Sequence, residues 1–242
     1  MSPETLLLVF LAFGLGGVLK GATGAGAPFL AVPIMSILVD VPFAVAVFLL
    51  PNLASNGWQV FRYRRDFPGR GFALSFALAA MAGAGFGTVM LARLDSAILT
   101  KTLAIVVLGY VFFRLRNPRW HLAQATARKI VIPIGALGGI FQGAVGLSAP
   151  ISVSFMNAVG FDRRQFIAVM SLYFLAMAVV QLPTQLALGI LTPERVLYGL
   201  IAILPLVLGM PIGDLLGRRI SRQAFDRVIM AILVLLAVRL LF

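Results

Sequence analysis

Lys20 stands inside an apolar run, beside a cluster of glycines: Leu15-Gly-Gly-Val-Leu-Lys-Gly-Ala-Thr-Gly-Ala-Gly-Ala-Pro28. A cation at such a place is a functional candidate by default, and its natural ligand is an anion. Gly21, Gly24 and Gly26 let a small oxyanion approach the backbone. Ala27 and Pro28 then open a short helix whose first amide N–H groups lack helical partners. A helix start attracts anions through those donors and through its dipole, and Thr23 adds a hydroxyl. Two plainer readings stand beside this one. Small residues also let helices pack closely, and Lys20 can extend its stem toward a membrane interface.

The cassette occurs twice. Leu137-Gly-Gly-Ile-Phe-Gln-Gly-Ala-Val-Gly-Leu-Ser-Ala-Pro150 repeats it at an offset of 122, with eight of fourteen positions identical. Gln142 replaces Lys20, and Gly143, Gly146, Ser148, Ala149 and Pro150 repeat the break and the helix start. Interruptions at corresponding places in two apolar halves mark a secondary transporter, whose breaks form the substrate site. A nucleotide phosphate loop fits the letters loosely, but its Gly-Lys-Ser/Thr ending is missing.

Other polar residues lie on apolar segments at helical spacing. Asn52, Asn56 and Gln59 form one stripe, and Gln181 and Gln185 a second, with Gln59 aligned to Gln181. Neutral amides line a pore for an oxyanion without trapping it, or they bond helix to helix. Asn157 is a further donor. Asp214 is the most plausible acidic group within a span: it takes a coupling proton, or it is a helix-end charge neutralised by Arg218. Enzyme chemistry finds no constellation. There is no second intramembrane aspartate to pair with Asp214, and the single histidine, His121, sits in a charged connection.

The elements that must hold these residues are membrane helices. Hydrophobic residues make up 61% of the chain and charged residues 12%, against roughly 25% charged in soluble domains. Apolar segments fall at about 3–23, 27–39, 42–62, 71–92 and 96–114, and again at about 130–146, 149–160, 164–190, 194–217 and 222–241. Ser2-Pro3, Asp40, Asp95, Asp162 with Gln165, Thr192-Pro193 and Ser221 supply helix starts. The first segment lacks a basic leader and a cleavage pattern, so a retained span is expected. The segments after each break are too short to cross a bilayer, which takes about 20 residues. Each first pair therefore reads as a hairpin that enters and leaves on one side.

The net charge of +12 is placed for a membrane rather than for nucleic acid. Most basic residues gather at 62–70, 114–129 and 218–227, and basic residues in short connections face the cytoplasm. With Arg62, Arg64, Arg65 and Arg70 inside, Arg114, Arg116, Arg119, Arg128 and Lys129 also fall inside. So do Arg163, Arg164, Arg218, Arg219 and Arg222. Both termini then lie outside. The chain is expected to be an all-α polytopic protein of the inner (cytoplasmic) membrane with two inverted-topology repeats of about five helical elements. The divisions are 1–118, a cytoplasmic connection at 119–128, and 129–242. Trp58 and Trp120 read as interface anchors. The absence of cysteine removes disulfide and thiolate chemistry, and no cofactor or metal is expected.

The paired cassettes, Val32-Pro33, and the ending Gly209-x-x-x-Gly213 with Gly217-Arg-Arg-Ile-Ser221 resemble the sulfite exporter TauE/SafE family, also called the 4-toluene sulfonate uptake permeases. The likeness covers nearly the whole chain. Leu147-Ser148 departs from a triple-glycine form, and Phe155 stands opposite Pro33. The resemblance implies a transporter of sulfite, thiosulfate, sulfonates, sulfoacetate or related sulfur anions, linked to the proton gradient. An anion channel of the same fold and a non-transporting membrane scaffold are the competing functions.

Overall fold

The computed structural model describes residues 1–117, 120–219 and 222–241, without the side chains at 218, 219 and 222–226. Among them are ten helices and no strand: α1 (Pro3–Thr23), α2 (Ala27–Leu38), α3 (Val41–Arg62), α4 (Arg70–Arg93), α5 (Ser96–Arg116), α6 (Gln124–Val145), α7 (Ala149–Val159), α8 (Arg163–Ala187), α9 (Pro193–Arg219) and α10 (Arg222–Leu241). Two starts departed from expectation. α6 begins at Gln124, before its apolar run, so Arg128 and Lys129 sit on its first turns rather than in a loop. Long basic stems can lie along a helix end while their charges stay in water. Asp95 precedes α5 but makes no capping bond.

The other caps form as their residue types require. Ser2 accepts from the Thr5 N–H, and Asp40 from the Phe43 N–H at 2.6 Å. Asp162 and Gln165 close a reciprocal capping box, and Thr192 accepts from the Arg195 N–H. Ser221, the expected start of α10, lies outside the described residues. Each such cap contributes about 1 kcal/mol.

Six of these helices, α1, α3, α4, α5, α8 and α9, are long and apolar enough to cross a membrane. α2 and α7 have 12 and 11 residues, which is ~18 Å and ~17 Å of helix. Leu204, Leu208, Ile212 and Leu215 leave α9 with an exposed apolar face. So large an apolar surface would be a liability in water and suits lipid.

Helix packing follows the duplication. α1 lies against α9, and its counterpart α6 lies against α4. α3 touches α9 as α8 touches α4, and α10 touches α2 as α5 touches α7. The α3–α8 and α5–α10 pairs map onto themselves. Each half thus lends its first helix to the fourth helix of the other half.

Glycines bring these crossings to backbone contact. A Cβ on Gly17 or Gly21 would overlap the Leu206 or Met210 carbonyl of α9, and one on Gly209 or Gly213 the Gly14 or Val18 carbonyl of α1. The α4–α6 crossing repeats this with Gly83, Gly87, Gly139 and Gly143 against Ala136, Ile140, Ala80 and Ala84. Small residues permit such approach where no hydrophobic driving force separates helix from lipid. Close packing therefore accounts for glycine at 21 and 143.

Candidate functional site

α1 ends where Gly24 turns left-handed, at φ +89°, its N–H bonded to the Lys20 carbonyl. A side chain is strained in that region, so glycine is required. The chain then crosses Ala25 and Gly26 into α2, whose start carries no side-chain cap. The Thr23 hydroxyl donates to the Leu19 carbonyl at 2.8 Å, and the Ala25 N–H reaches Thr23 Oγ1 at 3.4 Å. Ala27 and Pro28 are buried in the first turn of α2.

Lys20 is 2% exposed. Its ammonium donates to Asn56 Oδ1 at 2.7 Å. Asn56 Nδ2 in turn donates to the backbone and side-chain oxygens of Asn52 at 2.8 and 2.7 Å. All three side chains are buried. Lys20 thus does not extend to an interface, and no carboxylate pairs with it among the described residues.

The second break has the same backbone and different chemistry. Gly146 ends α6 at φ +72°, its N–H bonded to the Gln142 carbonyl. Gln142 does not point across the bundle as Lys20 does. Its Oε1 accepts from the Ser148 backbone N–H at 3.2 Å and from the Ser148 hydroxyl at 3.0 Å. The side chain thereby supplies an acceptor at the start of α7. Gly26, opposite Ser148 in the repeat, has no such cap.

The two breaks pack against different partners. Gly24 packs under Ile167 and Phe166 at the start of α8, and Gly146 under Val45 and Val32 at the start of α3 and in α2. α3 and α8 run antiparallel, because Gly57 lies beside Leu175 while Gln59 bonds Ser171. The breaks therefore lie toward opposite ends of that pair, each covered by apolar side chains of the other half.

The amide stripes are inside the bundle: Asn52, Asn56, Gln59, Gln181 and Gln185 are all buried. Gln59 accepts from the Ser171 hydroxyl at 3.0 Å, a helix-to-helix bond. Both amide atoms of Gln185 are buried without a partner. Asn157 is exposed on α7, apart from the break. Asp214 pairs with Arg163 at 2.8 Å, and the same guanidinium group donates to the Gly21 carbonyl at 3.2 Å. The expected partner, Arg218, lies outside the described side chains. Arg164 bonds Asp66 at 3.1 Å, so the start of α8 and the 62–70 connection share one end.

Sequence reasoning passed over Tyr173, Ser152 and Ser171. They are buried and lie on apolar helices at no telling spacing. Tyr173 looks like an ordinary core aromatic until its hydroxyl is seen over Gly138. A cavity of about 420 Å³ lies near the 62–70 connection, lined by Phe72, Ser75, Gln124, Arg128 and Phe161 among others. None of the residues expected to bind substrate lines it.

Over residues 8–240 the chain matches the family described as Sulfite exporter TauE/SafE. The chain belongs to the sulfite exporter TauE/SafE family. No curated protein and no solved structure matches it. With its apolar helices, this TauE/SafE member is a multi-pass membrane transporter of the sulfite-exporter type, set in a lipid bilayer with a small anion as substrate.

Proposed function

We propose that the chain is a secondary transporter that carries small sulfur oxyanions, among them sulfite, thiosulfate, sulfonates and sulfoacetate, across the cytoplasmic membrane by alternating access. The observation that carries this reading is Lys20, a buried ammonium held by a neutral amide. Burying a charge is costly unless it is paired. The Asn56 dipole orients the ammonium but brings no counter-charge, and an oxyanion beside the uncapped start of α2 completes the arrangement. Asn56 and Asn52 then set how tightly the anion is held.

The repeats 1–118 and 129–242, joined by 119–128, stand in inverted orientation, with both termini outside. The crosswise packing of α1 on α9 and α6 on α4 supports that division. Transport is driven through the proton gradient. Asp214 is the carboxylate candidate for coupling, but its bond to Arg163 and its 40% exposure favour an ion partner over a proton carrier.

The test is uptake by purified protein in proteoliposomes, using labelled sulfite, thiosulfate and methanesulfonate with an imposed pH gradient. Concentrative, saturable uptake is expected, inhibited among these anions and not by neutral analogues. Flux that only follows the anion's own gradient would make the protein a channel.

A further inference from the structure

The Tyr173 hydroxyl is the buried polar group that this reading leaves unused. Tyr173 is 0% exposed, and its ring stacks on Phe76 at 4.2 Å between centroids and meets Phe174 edge-on. Those contacts fix the hydroxyl against Gly138, where any side chain would displace it. It lies over Gly138 together with Ser148 Cβ, close enough to the Ser148 and Ser152 hydroxyls to interact with both, but it makes no well-formed hydrogen bond. Leaving a buried hydroxyl unbonded costs about 1–3 kcal/mol. Such a group in a native core calls for an explanation, a missing ligand among them.

The protons on the neighbouring groups are already assigned by geometry. Ser148 Oγ donates to Gln142 Oε1, and the Ser148 N–H on the same atom fixes which end of that amide is oxygen. Ser152 Oγ donates to the Ser148 carbonyl at 3.0 Å. Both serine hydroxyls have spent their hydrogen and offer lone pairs alone. Tyr173 has its hydrogen to give. A hydroxyl is one donor and two acceptors, so the cluster presents one donor and two acceptor oxygens, with no cation among them.

We infer that this cluster, at the second break, is a binding station for a protonated oxyanion. It takes an anion that still carries an O–H, with Tyr173 donating to one ligand oxygen and the ligand O–H donating to Ser152. Hydrogensulfite fits this pattern. A fully ionised sulfonate has acceptors only and would set its oxygens against serine lone pairs. The inference rests on the transport reading above and narrows its substrate class. For hydrogensulfite it also gives the coupling proton a carrier, because that proton crosses on the substrate.

The experiment compares sulfite with methanesulfonate in proteoliposomes, at a pH where hydrogensulfite predominates and at one where it is minor. Wild type is expected to take up sulfite better at the lower pH, with methanesulfonate little changed. Tyr173→Phe keeps the ring stack and removes the donor. It is expected to cut sulfite uptake at low pH by ~10-fold or more, the size of one hydrogen bond to a charged group, and to leave methanesulfonate within about twofold. Ser152→Ala is expected to act the same way, and Ser152→Thr to restore uptake. Equal loss of both substrates, or no loss of either, overturns the station. Wild type that carries methanesulfonate but not sulfite leaves transport standing and overturns the station. Wild type that carries neither overturns the transport reading and the inference with it.

Discussion

Lys20 Nζ donates to Asn56 Oδ1 at 2.7 Å across 36 residues of chain, joining α1 to α3 just before the first break. Removing the cation tests the site directly. Lys20→Met keeps the length of the side chain and discards the charge. It is expected to weaken anion binding by ~10–100-fold, the loss that goes with about 1.5–3 kcal/mol for a hydrogen bond to a charged group. Titration calorimetry of the detergent-solubilised protein with sulfite and methanesulfonate measures it.

Asn56→Asp places a carboxylate against the Lys20 ammonium. The protein should then supply its own anion: thermal stability holds or rises, while binding and uptake of external oxyanions fall steeply. Unchanged uptake with a raised Tm would show that the substrate is bound away from Lys20.

Glycines of two kinds should respond differently to substitution. Gly143→Ala drives a methyl into the Ala84 carbonyl at the α4–α6 crossing, and overpacking of this kind costs about 1–3 kcal/mol. Gly109→Ala meets no atom within 4 Å on a helix surface, and should gain up to ~1 kcal/mol from the better helix former. Thermal unfolding in detergent ranks the two. Gly24→Val adds β-branching at φ +89° and meets Ile167, so uptake should be abolished in protein that still inserts.

Arg163 and Asp214 are each partly exposed, with 45% and 40% of the side-chain surface open. Exposed pairs contribute about 0–1 kcal/mol, so Asp214→Asn should shift Tm little. Sulfite uptake driven by a pH gradient should also survive, because the proton travels on hydrogensulfite. Loss of that stimulation with anion binding intact would return the coupling role to Asp214.

Orientation can be read on a chain with no cysteine of its own. Thr5→Cys should react with an impermeant maleimide from outside intact cells. Arg65→Cys should react only after the membrane is opened. The reverse pattern would invert the proposed topology.

The sequence by itself determined that the chain is helical, that it belongs in a membrane, and where most helices begin and end. Those properties are local. Caps such as Asp40 and Asp162 act within one turn, left-handed breaks need glycine where they occur, and apolar composition selects lipid as solvent. The duplicated cassettes also marked Gly24 and Gly146 as the places where helix stops, and their φ values agree. Only the tertiary structure decided what each polar residue faces. Lys20 and Gln142 occupy equivalent positions, yet one reaches Asn56 on α3 and the other folds back on Ser148. That difference depends on which neighbour lies across the bundle, and repeat alignment does not carry it. The glycines at 21 and 143 proved to serve helix crossings because their partners, Met210 and Ala84, come from the other half. Tyr173 was invisible for the same reason: an aromatic on an apolar helix becomes chemically distinct only when packing leaves its hydroxyl buried beside two serines whose protons are already committed.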